Sequence, residues 1–96
     1  MRIEFDPAKR EWTLIHRFID FVDAELVFNG THFTDEDDRK EYGETRFITL
    51  GSLRGRLVVV GWTLRQRDGE TIHHIFSMRK ANGREIEAFK DRLRQT

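Results

Sequence analysis

The 96-residue sequence contains no cysteine and only one proline. The lack of cysteine excludes disulfide bonds and thiolate metal sites. No apolar run approaches the ~20 residues that a membrane-spanning helix needs, and the opening "MRIEFDPAKR" has charges where a signal peptide has its apolar region. The sequence therefore predicts a cytoplasmic protein without a membrane segment, and its length is typical of one domain spanning residues 1–96.

A net charge is also absent, because 17 Lys and Arg residues balance 17 Asp and Glu residues. Residues 1–45 contain 6 basic and 12 acidic side chains, a balance of −6, whereas residues 46–96 contain 11 and 5, a balance of +6. Zero net charge argues against indiscriminate binding of nucleic acid. The split has two interpretations: the two halves neutralise each other across the surface, or the basic half faces an anionic partner.

Local catalytic motifs are missing as well, since the chain has no Gly-rich phosphate loop, no HExxH and no nucleophile elbow. His73 and His74 are adjacent in a predicted strand, so they point to opposite faces and cannot chelate one ion together. His32 lies near the acidic run "DEDD", for which a solvated loop is a simpler interpretation than a metal site. The sequence predicts neither a metal site nor a cofactor.

The hydrophobic spacing predicts the element order β-α-α-β-β-β-β-α. "RIEF" alternates like a short strand, and Asp6-Pro7 is typical of a helix start. The first helix is indicated by apolar residues at helical spacing: Ala8, Trp12, Ile15 and Phe18. A second helix, capped by Asp20, fits "DFVDAELVF" and should end at the "NG" of residues 29–30.

Strand-like runs dominate the second half of the chain. The first residues of "THFTDEDDRKEYGET" favour an edge strand followed by an exposed loop. The runs "TRFITLG", "GRLVVVGWTLR" and "TIHHIFSMR", separated by Gly-containing turns, predict an antiparallel meander. A last helix is expected from Asn82 to about Arg94. We therefore predict an α+β fold, in which an antiparallel sheet carries two N-terminal helices and one C-terminal helix.

The last predicted strand separates its side chains between two faces of the sheet. Phe76 and Met78 are the better candidates for packing on helices, which places Ser77 and Arg79 on an open face. Other polar residues occur at strand ends of the same meander, where they can converge: Arg46, Arg56, Thr63 and Arg65. Several guanidiniums on one face would bind phosphates. In the alternative, each arginine pairs locally with Glu44, Glu70 or Glu85.

Five stretches of the sequence resemble one known family. "FDPAK" (5–9), "DF-DA--VF" (20–28), "YGE-RF" (42–47), "G-L-GR-VVV" (51–60) and "SMRKAN-RE" (77–85) are similar, in order and in spacing, to the BrnT-like ribonuclease toxins. The resemblance implies a RelE-like fold, a metal-independent ribonuclease and a role in a type II toxin–antitoxin system. It also implies a BrnA-like antitoxin partner with a ribbon-helix-helix DNA-binding domain.

The resemblance assigns roles to several of the polar residues named above. Arg79 would hold the scissile phosphate and stabilise its developing charge. Arg46 would be a second electrostatic partner, and Glu44, expected on the same strand face, would orient an arginine or take a proton. Lys80 should point away from Arg79 and contact backbone phosphates or nothing. Arg56, Thr63 and Arg65 are the remaining candidates for RNA binding.

The chain departs from the family near the end of its first helix. Many members carry a Lys-His pair there, and this sequence has His16 and Arg17. His16 is the best candidate for a general acid or base in that region, because an ordinary histidine titrates near neutral pH. Its alternative role is that of a surface histidine at a helix end.

Two functions remain open from the sequence. The first is an endoribonuclease toxin that arrests growth, in which the RNA 2′-hydroxyl attacks its own phosphate. Such a toxin would form a two-plus-two heterotetramer with its antitoxin and would meet DNA only through that antitoxin. The second is a non-catalytic antitoxin-binding or corepressor module. A toxin should show unpaired Arg46 and Arg79 near His16 or Glu44, whereas a binding module should show them paired with acids or covered by a partner.

Overall fold

The computed structural model describes all 96 residues, Met1–Thr96. It contains five strands, three α-helices and one 3₁₀ turn: β1 (Ile3–Phe5), α1 (Pro7–Arg17), the 3₁₀ turn (Phe21–Asp23), α2 (Ala24–Asn29), β2 (His32–Glu36), β3 (Arg46–Leu53), β4 (Arg56–Arg67), β5 (Glu70–Lys80) and α3 (Gly83–Arg94). The predicted α+β class is confirmed. None of the helices is both long and apolar enough to cross a membrane.

The five strands form one sheet in the order β1-β5-β4-β3-β2. Strands β2 to β5 form the predicted antiparallel meander. Strand β1, however, pairs in parallel with β5, with Ile3 opposite His73. The prediction of a purely antiparallel sheet is therefore wrong and the sheet is mixed, because residue alternation specifies a strand but not the direction of a distant partner. The RelE-like comparison stays a prediction.

The second predicted helix is only partly correct. Asp20 caps the 3₁₀ turn instead of an α-helix, since its Oδ1 accepts the N–H of Val22 at 3.0 Å. The α-helix itself is confined to Ala24–Asn29. The Asp20 carboxylate also accepts two bonds from Arg10, of 2.8 and 3.0 Å, which connect the turn to α1.

The hydrophobic core lies between one face of the sheet and the segment that follows α1. Side chains of β4 and β5 pack there against the loop, the 3₁₀ turn and α2; they include Val58, Val60, Trp62, Ile75 and Met78 on one side and Ile19, Phe21, Ala24 and Val27 on the other. Gly51 permits the close approach of α2, because a Cβ at this position would lie 2.8 Å from Cγ1 of Val27. Burial of these apolar surfaces is the main stabilising term of the fold.

The C-terminal helix α3 packs on the opposite face of the sheet. Its Phe89 meets Phe33 of β2 edge to face, with ring centroids 5.3 Å apart. Asn82 and Glu85 form a complete capping box at its start. The face that was predicted to be open is therefore partly covered.

Helix α1 lies along the part of β5 that β1 leaves unpaired. Arg17 Nη1 donates to the Met78 carbonyl at 2.9 Å. A helix that covers a strand edge meets polar backbone groups instead of an apolar face. This explains why the apolar residues of α1 are not buried: Ala8, Trp12, Ile15 and Phe18 are all exposed, and Thr13 is the buried residue of the helix.

A β-bulge in β5 reverses the predicted alternation. Gly61 is opposite Ser77 and Trp62 is opposite Ile75, so Phe76 is an extra residue. Ile75 fills the core, whereas the Phe76 ring lies over Gly61, with Cε1 2.7 Å from the position of a Cβ there. The prediction that Phe76 shares a face with Met78 is therefore wrong. Phe76 lies outside the core, where it contacts Arg46 and borders α1.

Candidate functional site

Arg46 at the start of β3 is held on three sides. Its Nε donates to Glu44 Oε2 at 3.1 Å, and its Cζ lies 4.4 Å from the Tyr42 ring and 4.5 Å from the Phe76 ring. Arg65 Nη2 approaches the other Glu44 oxygen at 3.7 Å. Glu44 was predicted to lie in the strand with Arg46. This is wrong, because Glu44 lies in the loop before β3. It orients Arg46 all the same.

The loop before β3 is organised by Asp37, which the sequence predicted to be a solvated acid. Asp37 is buried and accepts both Nε and Nη2 of Arg39 at 2.8 Å and the Tyr42 hydroxyl at 3.0 Å. The hydrogen bonds from the Arg39 guanidinium are the main reason why the pKa of Asp37 lies well below its usual range. Asp37 thereby places Tyr42 against Arg46.

Arg79 is on the predicted face, but it is paired. Its Nη1 and Nη2 donate to the two Glu85 oxygens at 2.8 Å each. These bonds lower the pKa of Glu85 and raise that of Arg79. Arg46 and Arg79 are thus both paired with acids, which is the arrangement expected of a binding module and not of a toxin.

The predicted convergence of polar strand ends is wrong for two residues. Arg56 lies opposite Leu53 at the β3–β4 turn, about 23 Å along β4 from the Arg46 end at the usual strand rise. Thr63 is only 1% exposed, and its hydroxyl donates to the Thr45 carbonyl at 2.6 Å, so it cannot meet RNA. Lys80 points away from Arg79, as predicted, and lines a depression with Arg56.

A cleft of about 250 Å³ opens between α1 and β5. We call it the α1–β5 cleft; it is lined by Lys9, Trp12, Thr13, Arg17, Phe76 and Ser77. Lys9 and Arg17 form no ion pair within the chain, in contrast to Arg46, Arg65 and Arg79. Two cations without an ion pair therefore lie beside α1, next to aromatic rings and the hydroxyl groups of Thr13 and Ser77.

Trp12 lines this cleft and contacts both His16 and Arg17. The His16 imidazole stacks on it at 4.5 Å, and Arg17 Cζ lies 5.2 Å from its ring. His16 Nδ1 is 2.8 Å from the Trp12 carbonyl. Because a carbonyl only accepts, this bond places the proton on Nδ1 and leaves Nε2 of the neutral ring as an acceptor. His16 and Arg17, which occupy the position of the family's Lys-His pair, thus both contact Trp12.

Phe76 connects the two groups of predicted site residues. It lines the cleft that Arg17 enters, and its ring also contacts Arg46. Arg17 in turn binds the carbonyl of the residue before Arg79. Sequence reasoning missed Lys9, Trp12 and Thr13 as site residues. Their spacing with Arg17, which puts all four on one side of α1, was the signal that could have found them.

The family model for BrnT, described as a ribonuclease toxin of type II toxin–antitoxin systems, matches residues 5–85. The chain belongs to this family. The match begins in β1, includes the α1–β5 cleft and ends at Glu85, so it contains every residue that the sequence predicted for the site. No individual curated protein matches the chain significantly. Membership in the BrnT family implies a ribonuclease and an antitoxin partner.

Proposed function

We propose that the chain is an endoribonuclease toxin that arrests growth by cleaving RNA at the α1–β5 cleft. The observation that carries this proposal is the pair of unpaired cations, Lys9 and Arg17, beside the imidazole of His16 and two aromatic rings. Unpaired guanidinium and ammonium groups next to aromatic side chains are a typical combination for binding phosphate and base of single-stranded RNA.

The reaction is an attack of an RNA 2′-hydroxyl oxygen on the adjacent phosphorus. Nε2 of His16 takes the 2′-hydroxyl proton, and the bond to the 5′-oxygen breaks as the new P–O bond forms. The leaving oxygen acquires a proton from water or from the protonated imidazole. The products are a 2′,3′-cyclic phosphate and a 5′-hydroxyl. Arg17 holds the non-bridging oxygens as their charge increases.

The remaining arginines support this step from β3 and β5. We propose that Arg46, oriented by Glu44, and Arg79 contribute positive potential around the phosphate. Arg79 can bind a phosphate directly only when Glu85 is displaced, since Glu85 occupies both of its terminal nitrogens. Arg65, Arg56 and Lys80 contact backbone phosphates outside the reacting group. Because side chains supply the positive charge and the proton acceptor, the mechanism requires no metal ion.

We further propose that the antitoxin is BrnA-like, with a ribbon-helix-helix DNA-binding domain. Dimerisation of that domain brings two toxins into one two-plus-two heterotetramer. The toxin meets DNA only through the antitoxin. Inhibition occurs by occlusion, because a protein that covers the cationic cleft excludes RNA from it.

The proposal is tested with the purified chain and a defined single-stranded oligoribonucleotide. We expect fragments that end in a 2′,3′-cyclic phosphate and begin with a 5′-hydroxyl, identified by mass spectrometry. The matched control is the same oligonucleotide with a single 2′-deoxy residue at the cleavage position, which removes the nucleophile and should resist cleavage there. Cleavage of the deoxy control at the same bond would disprove attack by the 2′-oxygen.

A non-catalytic corepressor module is the second candidate function. The pairs Arg46–Glu44 and Arg79–Glu85 favour it, because a binding surface does not need free guanidiniums. This alternative predicts that the chain binds antitoxin but leaves every RNA intact at any concentration. The oligoribonucleotide assay therefore separates the two functions.

A further inference from the structure

Exposed apolar side chains are concentrated in one short part of the chain. Nine large apolar residues are exposed in the whole protein, and six of these lie between residues 12 and 26: Trp12, Leu14, Ile15, Phe18, Val22 and Leu26. They belong to α1, its C-terminal cap Phe18, the 3₁₀ turn and α2. We call this region the α1–α2 surface. Concentrated exposed apolar side chains on a small protein mark an interaction site.

Phe18 is the most exposed of these residues and has an unusual backbone. The residue is 81% exposed. It ends α1 in the left-handed conformation, with φ 57° and ψ 34°, and its N–H donates to the Leu14 carbonyl at 3.1 Å. Glycine is the usual residue at such a position, because a Cβ is strained there. Neither burial nor backbone preference explains a phenylalanine here.

The apolar residues of α1 are arranged as for contact with another protein. Trp12, Ile15 and Phe18 are three residues apart along the helix and therefore lie on one side of it. Ile15 and Phe18 are uncovered within the monomer, whereas His16 stacks on Trp12 and leaves it half-exposed. An amphipathic helix that packs its polar side inward leaves its apolar side for a partner.

The charges around this surface indicate the chemistry of that partner. Asp20 and Asp23 are neutralised by Arg10 and Arg54, whereas Glu11 and Glu25 form no ion pair within the chain. The unpaired cations of α1, Lys9 and Arg17, line the α1–β5 cleft on the other side of the helix. The uncompensated charge among the apolar residues of the α1–α2 surface itself is therefore acidic. A second copy of this chain would bring these carboxylates together, whereas a segment with Lys or Arg at its flanks would neutralise them.

We propose that the α1–α2 surface anchors the antitoxin through an apolar segment flanked by basic side chains. Trp12 belongs both to this surface and to the α1–β5 cleft. A partner seated on Phe18 and Ile15 therefore extends to the rim of the cleft and excludes RNA from it. This inference rests on the proposed function, and it places the anchor on the acidic N-terminal half, outside the cationic cleft.

Three variants test the anchor. Phe18→Gly removes the ring and relieves the backbone strain, so the fold is retained or stabilised. Ile15→Ser removes a second apolar group, and Leu93→Ser is the matched control because Leu93 is similarly exposed on α3. The partner is the purified product of the open reading frame adjacent to the gene, and its affinity for each variant is measured by calorimetry. We expect Phe18→Gly to weaken binding about thirtyfold, as for an interface hot spot, with unchanged RNA cleavage.

The outcomes separate the inference from the proposed function. Equal affinity of Phe18→Gly, Leu93→Ser and wild type for that partner would overturn the anchor while leaving the toxin intact. Failure of the wild-type chain to bind the adjacent gene product, together with an absence of RNA cleavage, would instead overturn the proposed function. Dimerisation of the free chain that Phe18→Gly abolishes would identify a second copy as the occupant and would also overturn the inference.

Discussion

Arg79 and Glu85 are joined by two parallel N–H···O bonds of 2.8 Å, which connect the end of β5 to the first turn of α3. Glu85 Oε1 also accepts the Asn82 N–H at 2.9 Å. The guanidinium thus serves the helix cap at the same time as it contributes charge to the face of the sheet. A phosphate that binds Arg79 must compete with this carboxylate.

Arg79→Ala should relieve growth arrest without unfolding the protein. The ion pair is partly exposed, so its loss should reduce the free energy of unfolding by about 1 kcal/mol or less, whereas loss of a transition-state contact should slow cleavage about a hundredfold. Growth assays and urea denaturation measure the two effects. Arg92→Ala, at an ion-paired and similarly exposed arginine on α3, is the control. Full toxicity of folded Arg79→Ala would remove Arg79 from the site.

Arg17→Ala should slow RNA cleavage about a hundredfold, because it removes the guanidinium that faces the cleft without a counter-ion. Arg17→Lys should recover part of the rate, since it keeps the charge but not the two-pronged geometry. Single-turnover cleavage is the measurement. Arg84→Ala is the control, as Arg84 is exposed and unpaired on α3. If Arg17→Ala and Arg84→Ala cleave equally fast, the cleft is not where the phosphate binds.

RNA cleavage should continue in an excess of EDTA. The proposed positive charges are Lys9, Arg17, Arg46 and Arg79, and none of them depends on a divalent ion. The rate is compared with EDTA, with added Mg²⁺ and with neither. Loss of cleavage in EDTA that Mg²⁺ restores would refute the metal-independent mechanism.

The co-expressed complex should have the mass of two toxins and two antitoxins by light scattering, with the free toxin a monomer or weak dimer. RNA should compete with the antitoxin, because a partner on the α1–α2 surface extends to the rim of the α1–β5 cleft at Trp12. A one-to-one complex would refute the assembly. Simultaneous binding of RNA and antitoxin would refute occlusion.

Glu4 should make the stability of the fold dependent on acid pH. The hydrogen bonds from Arg67, followed by that from His74, hold the pKa of Glu4 at about 2, below its ordinary 4.5. Its stabilising effect is therefore complete above about pH 4.5 and is lost as the pH falls towards 2, where the folded state also takes up the proton. The urea midpoint of Glu4→Gln should be lower than that of wild type at pH 6 and close to it at pH 2. A constant difference would contradict this pairing.

The strands, the turns and the ends of α1 and α3 were predictable because each depends on neighbouring residues. The Gly-containing turn with "DG" at 68–69 and the helix start at Asn82 depend on local residues, and both occur as predicted. Family resemblance added the function. It also drew attention to Arg79 and to the helix end at residues 16–17.

The errors arose where distant residues decide the structure. The bulge at Phe76 depends on how β5 pairs with β4, and the exposed stripe of α1 depends on α1 covering a strand edge. In each case, the side chains that a simple periodic pattern would bury lie on the opposite side of the strand or helix. The counter-ion of Arg79 could be named as an alternative from the sequence. Only the fold decided between it and a free arginine.

Gly61 has a consequence that extends beyond its own strand. A Cβ there would lie 2.5 Å from Ser77 Oγ and 2.7 Å from Phe76 Cε1, and the Phe76 ring is in turn in contact with Arg46. Because Gly61 of β4 has only a hydrogen atom as its side chain, Phe76 and Ser77 of β5 can lie close to it, and Phe76 can contact Arg46 of β3. One added methyl group at Gly61 would therefore displace Phe76 or Ser77 and disturb the position of Arg46, with every ionisable side chain still in place.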